Sequence, residues 1–428
     1  MKVGVCVAGG SYQTKSGLVE PMVEVFSRAH WSAPQRLQLP KNAPKQPYGE
    51  VNGLACAEWV QTCTAVGDFV HDSSGDLQAF LDTEFLGHWS GTFLPELPAN
   101  SAINENASLS AVACTHDGWC QAVGRYVDRS GHVQAMAITK PKGRNWGSAT
   151  ELMAPLGAAA NPHVSLTGLA CTTRGACVAV GTYITRGNQV QPMGLVEDRY
   201  TWRRAVRVAA PANGAHNGFA ALRSVSCSSG APCVAVGEYA LTSAAADNAA
   251  TDNRAMSVTE VGGRFGPATG ITTVPAGAGT TPTTDLSGVS CTGPHACVAV
   301  GVGTNSAGHS VAMYAVQAHG RWTESFLLPP SDAGTGSRAG SSLFSVACPD
   351  VGHCVTVGYY NDNSGGYRAE AALTKVPASP SRTSTAQRGR GQQPSSGGQR
   401  QGLTSPLHHG GGQVHQGRTG PATGSPSH

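Results

Sequence analysis

One phrase recurs along this chain and constrains its fold more than any other feature. Cys-x-Ala-Val-Gly-x-Tyr appears as Cys6–Tyr12 (CVAGGSY), Cys63–Phe69 (CTAVGDF), Cys120–Tyr126 (CQAVGRY) and Cys177–Tyr183 (CVAVGTY). It continues as Cys233–Tyr239 (CVAVGEY), Cys297–Gly303 (CVAVGVG) and Cys354–Tyr360 (CVTVGYY). Successive copies start 57, 57, 57, 56, 64 and 57 residues apart. Seven near-equal copies define a repeat architecture, in which each unit buries its apolar faces against its neighbours.

Each unit holds four short runs. The first ends in a cysteine, as in LSAVAC (109–114), SLTGLAC (165–171) and LSGVSC (286–291). The second is the phrase itself. The third centres on a small residue such as Ala135 or Ala312, and the fourth opens on an aromatic: Trp31, Trp89, Trp146, Trp202, Phe265 and Trp322. The runs are short, rich in β-branched residues and bounded by Gly, Asn, Asp, Ser or Pro, which reads as strands. Between runs two and three lie HDSSGD (71–76), VDRSGH (127–132), TNSAGH (304–309) and NDNSGG (361–366). An Asp or Asn ahead of a Gly is hairpin-turn chemistry. The one long spacing comes from extra residues within 240–255, in this same loop, where a repeat fold tolerates insertion.

Four antiparallel strands repeated seven times resemble a β-propeller over residues 1–376, an all-β fold with blades around a central channel. The repeat is similar to the cysteine-paired propeller repeats of secreted or surface actinobacterial proteins. The first copy starts within run two and the last ends after run three. The expectation is seven blades with a true start upstream of Met1; the alternative is six blades and a leftover hairpin over 1–29.

Twelve of the 13 cysteines form six close pairs: Cys56/Cys63, Cys114/Cys120, Cys171/Cys177, Cys227/Cys233, Cys291/Cys297 and Cys348/Cys354. Each pair flanks the loop between runs one and two, where facing hairpin ends suit disulfide geometry. Buried free thiols and a zinc set are the alternatives, though zinc ligands are usually spaced more closely and joined by His. Disulfides would place the body outside the cell, with Cys6 left over. No signal sequence is visible in this chain.

Charge adds a second division. Residues 377–428 contain five Arg and no acidic residue, and removing them from 29 basic and 26 acidic residues leaves 24 against 26. The body therefore carries no basic field for nucleic acid. The tail is rich in Pro, Ser, Gly, Gln, Arg and His and reads as disordered. Its RGRG (388–391) and its His408–His409 pair are weak signals that a solvated linker explains as well. No apolar run is long enough to span a membrane.

Catalytic motifs are not found: no H-E-x-x-H, G-x-S-x-G, Walker loop or EF-hand. The Gly-x-Trp and Gly-x-x-Trp elements (Gly87–Trp89, Gly143–Trp146, Gly320–Trp322) loosely resemble the end of the sialidase-type Asp-box, but the Asp before the Gly is not there. Those aromatics read as caps on the outer strands. The residue after Ala-Val-Gly varies around the repeats: Ser11, Asp68, Arg125, Thr182, Glu238, Val302 and Tyr359. Asp68 and Glu238 are the candidate carboxylates, and Arg125 and Arg223 the candidate anion partners. Run one otherwise reads neutral, with Arg223 as its only charge. The Asx-rich loops have oxygen donors for calcium, but turn chemistry accounts for them. Asn106 opens a glycosylation sequon.

These features predict a monomeric extracellular binding module for a protein or polysaccharide, with no cofactor and no metal. The alternatives are an extracellular carbohydrate-active hydrolase or lyase on a sialidase-like propeller, and the sensor domain of a longer surface protein.

Overall fold

A computed structural model of the chain describes residues 6–375, apart from 28–29, 41–42, 44–47, 58–60, 72–74, 86, 104–105, 216–217, 242–251, 280–281 and 351–352. The tail assigned to 377–428 and most of the 240–255 insertion lie outside the described residues.

The repeats form a seven-bladed β-propeller, one antiparallel sheet to each Ala-Val-Gly phrase. In blade 3 the strands are Ser108–Cys114, Cys120–Val127, Val133–Lys140 and Thr150–Leu152, hydrogen-bonded in that order. Blade 6 follows the same order with Thr284–Gly293, Ala296–Thr304, Ser310–Ala318 and Arg321–Phe326. The first strands of neighbouring blades touch one another all along the series, which makes them the innermost. Blade 1 begins at the second position, with Cys6–Gln13 paired to Val19–Ser27. Blade 7 has Ser341–Asp350, His353–Asn361 and Tyr367–Lys375. The outer strand is shorter than the sequence suggests: two pieces in blade 4 (Thr201–Trp202, Val206–Arg207), and in blade 3 a strand that starts after Trp146.

The core is a series of inter-blade layers. Val123, Ala135 and Ala137 of blade 3 pack on Leu166, Leu169, Cys177 and Ala179 of blade 4. Val298 and Val300 of blade 6 likewise cover Leu343, Val346 and Cys354 of blade 7. In blades 2–6 both faces of the sheet are buried, so alternating side chains must be apolar or small on both sides, as the phrase requires. The aromatic of the phrase closes one end of the blade. Tyr126, fully buried, donates through Oη to Asn100 Oδ1 (2.9 Å) and Glu151 Oε2 (3.0 Å). Where the repeat has Gly303 instead, Phe326 of the outer strand comes within 3.0 Å of the space a side chain would take.

The glycine of Ala-Val-Gly has a specific cause. Every inner strand carries a β-bulge opposite it, at the residue after the conserved-position Leu or Val: Asn52, Ser110, Thr167, Arg223, Ser287 and Phe344. The extra residue pushes the backbone inward. A Cβ on Gly124, Gly181, Gly237, Gly301 or Gly358 would lie 2.0 Å from the carbonyl oxygen just before the bulge. Only glycine fits that approach.

Six disulfides join the paired cysteines, each across the loop from inner to second strand, with Cα–Cα distances of 4.0–4.2 Å. Cys6 is free. The bridges define one face of the ring. The opposite face carries the turns between second and third strands, and in blades 3, 4, 6 and 7 that turn bridges to the loop that enters its own inner strand, as in Ser101↔Asp128 and Ala278↔Asn305.

Candidate functional site at the turn face of the channel

The turn-face ends of the inner strands hold the charged groups that the sequence singled out. A single register rule places them. The residue after Ala-Val-Gly in one blade meets the residue before the bulge-side Leu of the next. In blade 2 this puts Asp68 against Ser108 of blade 3, whose Oγ donates to Asp68 Oδ2 at 2.5 Å. Asn52 Nδ2, on the bulge, donates to the same oxygen at 2.8 Å and to Leu109 O at 3.2 Å. Burial raises the Asp68 carboxyl, while these two donors and the Arg125 charge pull it back down. Glu50 stands opposite Asp68 in the strand pairing, and burial plus the Asp68 charge raise it as well.

In blade 5 the same rule brings Glu238 against Asp285 of blade 6. Arg223 Nε donates to Glu238 Oε1 at 3.1 Å, and its Nη2 makes a second, shorter bond to the same oxygen. Asp285 shares a hydrogen bond with the Glu238 carboxylate and accepts another from Ser287 Oγ at 3.2 Å. Burial, then the Glu238 charge, push the Asp285 carboxyl up to about 8, against the opposing pull of Arg223. The two touching carboxyl groups therefore favour holding a proton between them.

These positions correct the sequence reading in one place. The inner strands are not neutral but for Arg223: Glu50 lies in Gly49–Ala57 and Asp285 in Thr284–Gly293. The two candidate carboxylates, which nothing in the sequence brings together, do not meet each other. Asp68 and Glu238 sit in blades 2 and 5, each with its own neutral, anionic or cationic partners. Arg125 acts on Asp68 and Arg223 on Glu238, so the arginines do not form one cluster.

The remaining candidates have structural surroundings. Phe265 of blade 5 lies across the third strand of blade 4, where a Cβ on Gly194 would meet its ring at 2.2 Å. Trp322 Nε1 donates to Ser257 Oγ of blade 5 at 3.1 Å, and Trp146 is buried in the layer between blades 2 and 3. Trp89 and Trp202 pack on the edges of their layers, and Trp31 tilts against Phe26 at 5.3 Å. The Asx loops are tied up in turns. Asp362 Oδ1 accepts from the Ser364 and Gly366 amides (2.9 Å each), and Asp128 Oδ1 from Ser130 and His132. Asn305 Oδ1 does the same for Ala307 and His309. Among the described residues no group of three His, Cys, Asp or Glu is placed to hold a metal ion. Asn106 is half-buried. Among the described residues no helix is long and apolar enough to cross a membrane.

No family model matches the chain, and no curated protein matches it. Solved structures share the fold at low identity. The Hadza microbial sialidase Hz136 is 12% identical with a TM-score of 0.46, over 84% of this chain and 74% of that one. Trypanosoma rangeli sialidase in complex with sialic acid is 9% identical with a TM-score of 0.44, over 88% of this chain and 60% of that one. The GH93 α-L-arabinofuranosidase of Fusarium graminearum with arabinobiose is 12% identical with a TM-score of 0.43, over 79% and 96%. What these comparisons have in common with the chain is the propeller fold.

Proposed function

We propose that this is an extracellular, non-catalytic binding propeller that takes a protein or polysaccharide ligand at the turn-face end of its channel. The observation that carries the reading is the contrast between constant and varied positions in one repeat. Leu, the small residue, Val, Cys and Ala-Val-Gly are each explained by packing, bulge or disulfide. The bulged residue is not: Asn52, Ser110, Thr167, Arg223, Ser287 and Phe344 share one backbone seat and differ in chemistry, and none is fully buried. The residue after Ala-Val-Gly varies in the same way. A fixed scaffold that presents a ring of different side chains suits recognition of an asymmetric ligand. The carboxylates there are engaged within the scaffold: Asp68 by Asn52 of its own blade and Ser108 of the next, Glu238 by Arg223 of its own blade. Six disulfides support an oxidising, extracellular setting.

A second reading, an extracellular glycoside hydrolase or lyase, has one observation in its favour. Asp285 is a carboxyl pushed up by burial and by the Glu238 charge, and a raised carboxyl is the kind of group that acid catalysis uses. Against it, the two groups touch, whereas glycosidase carboxylates stand roughly 5–10 Å apart to admit the reacting bond. The test is a glycan array and a surface-protein capture run beside a fluorogenic glycoside panel. Binding that falls at least tenfold in Asn52→Ala or Thr167→Val, without turnover, supports the binding module. Turnover abolished by Asp285→Asn or Glu238→Gln would replace it with the hydrolase.

A further inference from the structure

The outer edges of the blades differ in charge, and blade 4 carries the most. Its edge runs Asp198-Arg199-Tyr200-Thr201-Trp202-Arg203-Arg204-Ala205-Val206-Arg207. Of the 24 basic and 26 acidic residues in 1–376, this run takes four arginines and one aspartate, which leaves 20 against 25 elsewhere. All four arginines are exposed, and Arg264 continues the row on blade 5. Arg203 reaches toward it: its Nη1 lies 3.2 Å from where a Cβ on the adjacent Gly263 would stand. Arg203 Nη2 donates to Asp198 Oδ2 at 2.7 Å, and Arg207 Nη2 to Gln191 Oε1 at 2.9 Å. Arg204 donates to Ala154 O and Met153 Sδ. Each keeps further N–H groups for a ligand. The Arg199 and Arg264 side chains have no acceptor among the described residues. The glutamates of the neighbouring third strands, Glu197 and Glu260, are buried and do not project into the row. Charge on an outer strand also keeps sheet edges from pairing, but that role does not ask for four arginines. The outer run of blade 2 (88–93) has no Asp, Glu, Lys or Arg, and that of blade 5 (264–270) has Arg264 alone.

The tip of the same edge is strained. Asp198↔Thr201, Val261↔Arg264 and Ala318↔Arg321 each close a two-residue turn from third to outer strand. Both turn residues have positive φ. Blade 5 places Gly262 and Gly263 there and blade 6 His319 and Gly320, whereas blade 4 holds Arg199 at 51° and Tyr200 at 64°. A bulky side chain in this region is disfavoured, and such outliers gather at functional positions. The Tyr200 ring leans edge-on against Trp119 of blade 3, with centroids 6.4 Å apart, and stays 64% exposed.

We propose that the outer edge of blade 4, with Arg264 of blade 5, is a second binding site, separate from the channel, for an acidic polysaccharide. Guanidinium groups pair carboxylates through two parallel N–H bonds. Arg203 and Arg207, four residues apart along the edge, are separated by about 13 Å at the rise of an extended strand. A row of that length suits a polymer with carboxylates repeated along it, not one small anion. The exposed Tyr200 ring offers an apolar face on which the C–H face of a sugar can lie. An acidic peptide would meet the arginines equally well but would bring no sugar to that ring. The site does not depend on what the channel binds.

The test uses the full chain and polygalacturonate in isothermal titration calorimetry, with dextran as the uncharged control and polyglutamate as the carboxylate polymer without sugar rings. The expected result is saturable binding of polygalacturonate at about 50 mM NaCl that weakens at least tenfold by about 300 mM. Dextran should not bind, and polyglutamate should bind at least tenfold more weakly. Arg199→Gln, Arg203→Gln and Arg204→Gln combined should weaken polygalacturonate at least tenfold, while Arg321→Gln on the outer strand of blade 6 should change it less than twofold. Tyr200→Asn, which suits the left-handed backbone, should weaken it at least threefold with the melting midpoint kept. Undiminished binding in the triple variant would overturn the proposal, because the contact would then lie elsewhere, the arginine-bearing tail included. Equal affinity for polyglutamate and polygalacturonate, or no binding of polygalacturonate, would overturn it as well.

Discussion

Changing one glycine to alanine at the same repeat position in two blades should have opposite consequences. In Gly124→Ala the new methyl would sit 2.0 Å from Ser108 O and 2.8 Å from Leu109 Cα. Real contacts of this kind stay above 3 Å, so the inner strand must move by about 1 Å or surrender its bulge. Overpacking of this sort costs about 1–3 kcal/mol, and a disturbed ladder bond adds about 1 kcal/mol. The expected loss is about 3 kcal/mol. At roughly 2.1 cal/mol/K per residue, a body of about 370 residues unfolds with about 0.8 kcal/mol/K, so the melting midpoint should fall by about 4 °C. In Gly10→Ala nothing lies within 4 Å of the methyl, and the midpoint should move by less than about 1 °C. The assay is differential scanning calorimetry of both variants at one scan rate, with trypsin resistance as an independent readout. Equal shifts in the two variants would refute the reasoning, because they would show that the glycine serves strand flexibility and not the bulge.

Three further outcomes follow from the same packing. Removing one bridge by Cys227→Ser with Cys233→Ser should cost about 2 kcal/mol by loop-closure entropy, seen as a lower midpoint than wild type that reductant then narrows. Trp322→Phe should lose about 1 kcal/mol, since the ring stays in its layer but the bond to Ser257 goes; a midpoint unchanged from wild type would contradict it. The pH response has a defined sign. Asp285 and Glu324 are raised to about 8 and Glu197 to about 7, all mainly by burial, so between about pH 4 and 8 the folded chain holds protons that the unfolded chain has lost. Stability contributed by these groups is thus present at low pH and lost as pH rises, and the midpoint at pH 5 should exceed that at pH 9. Glu324→Gln should shrink that difference, because Glu324 is buried with neither oxygen hydrogen-bonded; an undiminished difference would exclude it as a source.

The architecture was legible because a 57-residue period carries its own blade count and because each cysteine pair brackets a hairpin. The outer aromatics were legible as outer-strand residues, but their reach was not. That Phe265 lies over Gly194 of the preceding blade depends on how sheets stack, which spacing along one unit does not contain. The bulge has its own signal in the sequence: a glycine inside an otherwise β-branched strand marks a close backbone approach, and Ala-Val-Gly carries it in blades 2–6. The Glu238–Asp285 pair was hidden for a different reason. Its members occupy different places in the repeat, and only the register between adjacent inner strands brings them together. Within a single unit Glu238 stands out by its place after Ala-Val-Gly, whereas Asp285 and Glu50 do not.

The central claim is that the varied residues at the turn-face end of the inner strands contact the ligand. Hydrogen exchange with and without a ligand identified on the arrays tests it most directly. The account predicts protection concentrated at the bulges, around residues 50–53, 108–111, 165–168, 221–224, 285–288 and 342–345, with the outer strands unchanged. Protection confined to the disulfide face or to the outer strands would contradict it.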